Sequence, residues 1–171
     1  IGMEFIFLRK GVMTMGASQL CAFAKSDERR ETPNLQLHVQ PISTDKLGGS
    51  NLHNFNAFTP TIANIRPTSR GKIFITSGDS RDHPKIKMNY LSTTEDREVA
   101  AASIRLVRKI IFESETFRKY HPEEFRPGLQ FQSDEEIVKA ASNYAQTIFH
   151  PVGTCKMGND KTSVVSNKLK M

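Results

Sequence analysis

The spacing of apolar residues changes halfway along the chain, and this change constrains the fold more than any other feature. In the first half, short stretches alternate between apolar and polar residues and are separated by prolines and glycines, which is the two-residue period of β-strands. In the second half, apolar residues recur at three- and four-residue steps, as in amphipathic helices. Strands followed by helices predict an α+β fold, in which helices pack on one face of an antiparallel sheet.

Four strands and one ambiguous segment are predicted in the first half. Asn34 to Val39 alternates polar and apolar residues between Pro33 and Pro41. The other strand candidates run from Phe55 to Ile65, where Pro60 interrupts the run, from Lys72 to Thr76 and from Lys85 to Met88. The apolar stretch from Gly16 to Ser26 fits either a strand or the rim of a pocket.

Two helices are predicted in the second half, each after a capping signal. The first follows Thr93–Thr94–Glu95–Asp96, a typical helix start. Its apolar residues at helical spacing are Val99, Ala102, Leu106, Val107, Ile110 and Ile111. The second begins with the capping box of Ser133 to Glu136 and continues through Ile137, Ala140, Ala141 and Tyr144.

The length of 171 residues suits one domain, 1–171, with a core of its own. The formal charge is +6, but lysine and arginine are spread along the chain and form no long basic tract. Cys21 and Cys155 lie in no CxxC or Cys/His cluster, so we expect free thiols, no disulfide and no metal site. Reduced thiols favour a cytoplasmic location.

The two ends of the sequence indicate a piece of a longer protein. The chain starts at Ile1 and stops at Met171, shortly after the strand-like Ser163–Val164–Val165, and we interpret it as truncated at both ends. The apolar run from Met3 to Leu8 is too short to span a membrane and lacks the layout of a signal peptide. Peripheral association with a membrane through a missing segment stays open.

One string is far more specific than these patterns. His150 to Gly158 reads HPVGTCKMG, directly after the second predicted helix, and it resembles the signature of the GMC (glucose-methanol-choline) oxidoreductases in their C-terminal, substrate-binding domain. Weaker matches occur in the same order at Asn34 to Pro41, Arg66 to Gly71, Asp82 to Pro84, Asn89 to Leu91, the helix from Thr94, and Gln132 to Glu136. The resemblance covers nearly the whole chain.

This resemblance implies an FAD-dependent alcohol oxidoreductase, either a dehydrogenase or an oxidase, of the choline- or alcohol-dehydrogenase type. His150 matches the active-site histidine of the family. Transfer of a hydride from an alcohol carbon to flavin requires the hydroxyl proton to leave as well, and imidazole is suited to accept it near neutral pH. A lone histidine is more often structural, but within this motif we interpret His150 as the catalytic base.

The residues after His150 are expected to lie against the flavin. Pro151 restricts the backbone of His150, and Gly153 permits a close backbone approach. The resemblance therefore implies that Val152, Gly153 and Thr154 bind the cofactor in the full-length protein.

The resemblance also suggests which residues bind the substrate. Leu20, Cys21, Ala22 and Phe23 match a part of the family that often lines the substrate cavity, and an apolar wall with one aromatic ring suits that role. They are equally compatible with a plain core. We add Phe149, which precedes the predicted base, to the substrate-binding set of Leu20, Cys21 and Phe23.

Other residues with suggestive chemistry are assigned no catalytic role. The remaining histidines have no metal-ligand spacing, so no metal is expected; they are His38, His53, His83 and His121. Cys155 is expected to be a small buried packing residue, because a Cys/His nucleophilic pair is recognised by geometry and not by closeness in sequence. Arg66 and Arg70 flank a turn and are expected to be structural.

Several parts of the family pattern are absent from this chain. No GxGxxG string occurs, so FAD would be bound mainly by another domain, and the isolated chain is expected to be inactive. The second active-site position of the family would lie beyond Met171. No cage for a quaternary ammonium can be read from the sequence, so aliphatic and aromatic alcohols stay open as substrates beside choline.

The basic charge motivates one alternative, a non-catalytic module that binds nucleic acid or another anionic partner. Such a module would show binding that weakens steeply with salt. The sequence contains no recognised nucleic-acid motif, and so the expected partner is a small-molecule alcohol and not nucleic acid. The electron acceptor and the oligomeric state are undetermined.

Overall fold

The computed structural model describes residues 2–16, 18–45 and 51–171, together with the backbone but not the side chain of Val12. The chain begins with helix α1, Gly2–Leu8, and a 3-10 turn, Val12–Thr14. Three antiparallel strands follow in the spatial order β1-β2-β3, namely β1 (Leu20–Ala24), β2 (Leu35–Gln40) and β3 (Thr59–Asn64). Leu37 lies between Ala22 and Ile62 in the register.

Helix α2, Thr94–Glu113, packs on one face of this sheet. The core consists of Leu35, Leu37 and Val99, all buried, with Ala24, Ile62, Leu106 and Val107 packed against them. Helix α4, Asp134–Ser142, packs on α2 through the buried Ile137 and Ala140. The α+β fold with helices on one face of an antiparallel sheet is confirmed.

Both predicted helices begin at their capping signals. Thr93 caps α2 and accepts a hydrogen bond from the backbone N–H of Asp96 at 3.3 Å. Ser133 and Glu136 form the reciprocal capping box of α4. These caps satisfy backbone donors that a helix N-terminus leaves without partners.

The predicted strand from Phe55 to Ile65 was too long at its N-terminal end. β3 begins only at Thr59, because the preceding residues form a loop in which the Phe55 ring stacks on His53 and the Phe58 ring on Phe117. Pro60 lies inside β3, which is tolerated because β3 is an edge strand.

A separate two-stranded ribbon follows the sheet. It pairs β4 (Lys72–Phe74) with β5 (Lys85–Lys87). Both strands are shorter than the predicted runs from Lys72 to Thr76 and from Lys85 to Met88. The ladder stops before Ile75, and Thr76 Oγ1 instead donates a hydrogen bond to the carbonyl oxygen of His83 at 3.1 Å.

Two short helices were missed. α1 carries exposed apolar side chains on all sides, so it lacks the periodic pattern that marks an amphipathic helix. α3, Glu115–Arg118, is a single turn after α2. Within the described ranges, no helix combines the length and the hydrophobicity that a bilayer crossing requires.

Candidate active site

The segment that contains His150 extends from the end of α4. Tyr144 and Ala145 continue the last turn of the helix, since their backbone N–H groups both donate to the carbonyl oxygen of Ala141, at 2.9 and 2.8 Å. Beyond Ala145 the described chain has no regular secondary structure up to His150. The position of His150 is therefore set by the connection of its segment to α4 and by contacts within the segment itself.

One of these local contacts lies just before the histidine. Phe149 has φ 64°, a left-handed conformation that is rare for a bulky side chain. Its backbone N–H donates to Thr147 Oγ1 at 3.0 Å. The imidazole of His150 is exposed and makes no hydrogen bond to any described residue. As far as the described residues go, its nitrogens are accessible to a molecule that approaches from outside.

The three residues predicted to bind cofactor lie on an open surface. The Val152 side chain is 91 % exposed, and Thr154 is exposed as well. Gly153 has φ 98°, and a Cβ at this position would meet no atom within 4 Å. Cys155, which we expected to be buried, is an exposed free thiol, because this stretch is not covered by any other part of the described chain.

The β1 residues predicted to bind substrate are divided between the two faces of the sheet. Successive side chains of a strand point to opposite faces. Leu20 and Ala22 pair with Val39 and Leu37 and share the helix-packed face.

Cys21 and Phe23 instead share the open face with the residues opposite them, His38 and Gln36. The Gln36 side-chain amide donates to Cys21 Sγ at 3.7 Å. Leu20 therefore does not form one wall with Cys21 and Phe23. Among the described residues, no hydrogen bond or ring contact joins β1 to the segment from Phe149 to Thr154, and the substrate-binding assignments stay predictions.

An apolar depression of about 340 Å³ lies beside the candidate base. It is lined by Met88, Tyr90, Thr147, Phe149 and Pro151. Of these, Phe149 was predicted to bind substrate, whereas Met88 and Tyr90 were missed. The matching stretch from Asn89 to Leu91 was a signal in the sequence, but only the tertiary fold brings it next to Phe149.

The turn from Arg66 to Gly71 is anchored to the start of α2 by the buried carboxylate of Asp96. This carboxylate accepts hydrogen bonds from the backbone N–H groups of Thr68 and Ser69, both at 2.9 Å. Burial acts to raise the pKa of Asp96 and is the largest single influence, but the hydrogen bonds from Ser69 and Thr68 together outweigh it and lower the pKa. Arg70 donates to the carbonyl oxygens of Pro67 and Ser69 in its own turn, a structural role.

Two of the other histidines, His53 and His38, have side-chain partners among the described residues. His53 bonds Ser43 through Nδ1 at 2.8 Å and Asp45 through Nε2 at 3.2 Å, and it stacks on Phe55. His38 Nδ1 lies 3.3 Å from Ser18 Oγ. In the part of the chain that the structure describes, no group of three or more histidine, cysteine or acidic residues could hold a metal ion.

Comparison with known proteins gives consistent results across the chain. Residues 67–171 match the sequence model of the family described as GMC oxidoreductase. The chain is 37 % identical over 165 residues to an oxygen-dependent choline dehydrogenase of Proteus mirabilis, covering 96 % of this chain and 29 % of that protein. It is 39 % identical over 168 residues to an alcohol dehydrogenase [acceptor] of Pseudomonas putida, covering 98 % of this chain and 30 % of that protein.

Solved structures support the same fold. A formate oxidase superposes with a TM-score of 0.80 at 22 % identity, covering 99 % of this chain and 34 % of that one. Pyridoxine 4-oxidase from Mesorbium loti gives a TM-score of 0.75 at 24 % identity, covering 91 % and 30 %. The chain thus spans about 30 % of the length of its curated relatives.

Proposed function

Because the chain belongs to the GMC oxidoreductase family, we propose that it is the substrate-binding part of a longer FAD-dependent alcohol oxidoreductase, with His150 as its catalytic base. The observation that carries this proposal is the HPVGTCKMG string together with the exposed imidazole at its start, which makes no hydrogen bond to a described residue. Choline and alcohols are named as substrates of relatives that match over nearly the whole of this chain.

His150 would take the proton of the substrate hydroxyl. Oxidation of a CH–OH group to a carbonyl removes a hydride from carbon and a proton from oxygen, and the two must leave in a coordinated way. FAD, when bound, supplies the acceptor for the hydride. A neutral imidazole that accepts the proton strengthens the developing C=O bond, and general-base catalysis of this kind contributes about 10²–10⁴-fold in rate.

The surface next to His150 fits such a cofactor. The open outer side of Gly153 leaves its backbone accessible to a flat ring system, and a larger residue would also be strained at φ 98°. We propose that Val152, Gly153 and Thr154 contact the flavin from this side. The principal FAD-binding residues would lie in the part of the protein that this chain does not include.

The depression beside His150 would receive the rest of the alcohol. Phe149 forms one side of it, and Phe149 is 68 % exposed in this chain. Holding the substrate hydroxyl next to the imidazole would make proton transfer effectively intramolecular, so that even a weak base becomes effective. We propose that Cys21 and Phe23, on the open face of the sheet, are the β1 residues that contribute to the substrate side, with Leu20 at the edge of the helix-packed face.

The test uses the full-length parent protein, purified as the wild type and as His150→Ala. We expect both proteins to show flavin absorbance, and we expect alcohol-dependent dye reduction to fall by about 10²-fold or more in the variant. A matched control is His83→Ala, an exposed histidine outside the motif, which should keep wild-type turnover. A colourless parent that binds no FAD would refute the proposal.

A further inference from the structure

Tyr90 is presented to the depression by an unusually constrained turn. The residues on either side of it, Asn89 and Leu91, both have φ 55°, in the left-handed region that costs an ordinary residue energy. Such conformations persist only where the surroundings fix them. Here the Asn89 side-chain amide donates to the carbonyl oxygen of Arg70 at 3.0 Å, and Arg97 Nη1 donates to that of Leu91 at 2.9 Å.

The end of β5, from which the chain leads to Tyr90, also packs closely against the turn from Arg66 to Gly71. A Cβ at Gly71 would collide with the carbonyl oxygen of Lys87 and would lie 2.7 Å from that of Met88. Only glycine therefore permits this approach of the Arg66 to Gly71 turn. Since Asp96 fixes that turn to α2, the position of Tyr90 is tied to the folded core.

The wall opposite Tyr90 is constrained as well, but from the side of the candidate base. Phe149 is in the left-handed conformation and Pro151 has a fixed φ. Two hydroxyl groups belong to the lining, those of Tyr90 and Thr147, and the Thr147 oxygen accepts a hydrogen bond from the Phe149 N–H. The depression thus offers two aromatic side chains and no charged group.

The lining of the depression supplies no counter-charge for a cationic substrate. None of its five lining residues carries a charge. The ribbon that leads into Met88 contains Lys85 and Lys87 and places Lys72 opposite Lys87. A cation–π contact with Tyr90 or Phe149 would contribute about 0.5–1 kcal/mol at an exposed site and about 2 kcal/mol at a desolvated one, and it must offset the loss of the cation's hydration, for which the lining supplies no counter-charge. Burial of an apolar group gains about 25 cal/mol per Å² and needs no counter-charge.

We infer that this depression binds the apolar substituent of an uncharged alcohol, with Tyr90 and Met88 as the wall that determines substrate specificity. The inference rests on the proposed function, since it assigns a substrate class to the same site. An aromatic or aliphatic primary alcohol would place its hydroxyl at His150 and its apolar part between Tyr90 and Phe149.

The first test measures kcat and KM of the full-length holoenzyme with benzyl alcohol and with ethanol. Tyr90→Ala should raise the KM for benzyl alcohol by about tenfold or more and leave kcat within about twofold, because it removes binding of the apolar group and not the base. Ethanol is too small to fill the depression, so its kinetic constants should change little. Tyr90→Phe should behave as the wild type, and Tyr120→Ala, an exposed tyrosine elsewhere, is the matched control.

The second test measures binding without turnover, by calorimetry of the holoenzyme with toluene and with tetramethylammonium. Toluene should bind and should lose about tenfold in affinity in Tyr90→Ala. If Tyr90→Ala does not fold, Met88→Ala provides the same comparison with a smaller change. Tighter binding of tetramethylammonium than of toluene, or preferred turnover of choline, would overturn the inference.

The outcomes separate this inference from the proposed function. If alcohols reduce the flavin and His150→Ala abolishes this, but Tyr90→Ala affects benzyl alcohol and ethanol equally, then the substrate-class inference alone is wrong. If no alcohol reduces the flavin of the parent, the proposed function is wrong and the inference falls with it.

Discussion

Two regions of this chain differ in how many hydrogen-bond partners their polar groups have. In the first, α2 and the loops attached to it, the side chains of Asp96 and Arg108 are engaged by several partners each. In the second, the segment from Phe149 to Thr154, the His150 imidazole has no partner among the described residues, and the backbone around Gly153 is open. We therefore expect substitutions in the first region to change stability and, under the proposed function, substitutions in the second to change turnover.

Loss of Arg108 should have the largest effect on stability. Its guanidinium forms a two-pronged ion pair with Glu124, at 2.8 and 2.9 Å, and also donates to the carbonyl oxygens of Gly128 and Phe131. The side chains of Arg108 and Glu124 are only 12 % and 10 % exposed. Arg108→Ala would leave the nearly buried carboxylate of Glu124 without its charged partner, with the Gly128 N–H as its remaining hydrogen-bond donor, and we expect a loss of about 3–5 kcal/mol in the free energy of unfolding.

Urea denaturation followed by circular dichroism measures this loss. The matched control is Arg29→Ala, since the Arg29 side chain is 90 % exposed although it also pairs with an aspartate. A change in Arg108→Ala no larger than in the control would show that the loop from Glu124 to Phe131 is not fixed by this pair.

Asp96→Asn should have the next largest effect and should depend on pH. The amide cannot accept both backbone hydrogen bonds of Thr68 and Ser69, so we expect about 2 kcal/mol of destabilisation at neutral pH. Because the folded pKa of Asp96 is lowered, its contribution is complete above the ordinary aspartate pKa of about 4 and is lost as the pH falls through the folded pKa.

The difference in unfolding free energy between wild type and Asp96→Asn should therefore shrink as the pH is lowered from about 5. Denaturation curves at several pH values give this difference directly. A difference that stays constant down to pH 2, where the wild type still folds, would contradict the role of the ionised carboxylate.

Ser133→Ala should have a smaller effect. It removes the side chain that accepts from the Glu136 N–H in the capping box of α4, which typically costs about 1 kcal/mol. Ser133→Asp should restore most of the loss, because an aspartate can cap the helix in the same way. Thermal unfolding of the two variants side by side tests whether the cap, and not the hydroxyl itself, is what α4 needs.

Val152→Ala should have the smallest effect on stability. Val152 is almost fully exposed, so its truncation should change the free energy of unfolding by less than about 0.5 kcal/mol. Any change in the full-length protein should instead appear in turnover. A destabilisation of the isolated fold comparable to that of Ser133→Ala would mean that the segment is packed more closely than its exposure indicates.

The parts of the fold that follow from local patterns were predictable from the sequence. β2, α2 and α4 lie where alternation and capping signals predicted them, because each of these elements satisfies its own local preferences. The late start of β3 was not predictable, since it depends on contacts of Phe55 and Phe58 with the rings of Phe125 and Phe117, which lie far away in the sequence.

The candidate site was predictable only in part. Resemblance to the motif proposed His150, and Phe149 was added because it precedes the motif. The sequence left the segment of Leu20 and Phe23 open between a strand and a pocket rim, so only the sheet register showed that these two residues face opposite sides. The pairing of Tyr90 with Phe149 across the depression required the tertiary structure, because the two residues are joined by no local pattern. The exposure of Cys155 was not predictable either, because cysteine is on average one of the most buried residue types.

The most direct test of the central claim is chemical rescue of His150→Ala in the full-length holoenzyme. Anaerobic flavin reduction by an alcohol would be followed by stopped-flow absorbance at increasing concentrations of imidazole. If His150 is the base, the variant should be slow without imidazole, and its rate should rise with the concentration of the neutral form of imidazole. A variant that reduces flavin at the wild-type rate without imidazole would contradict the claim.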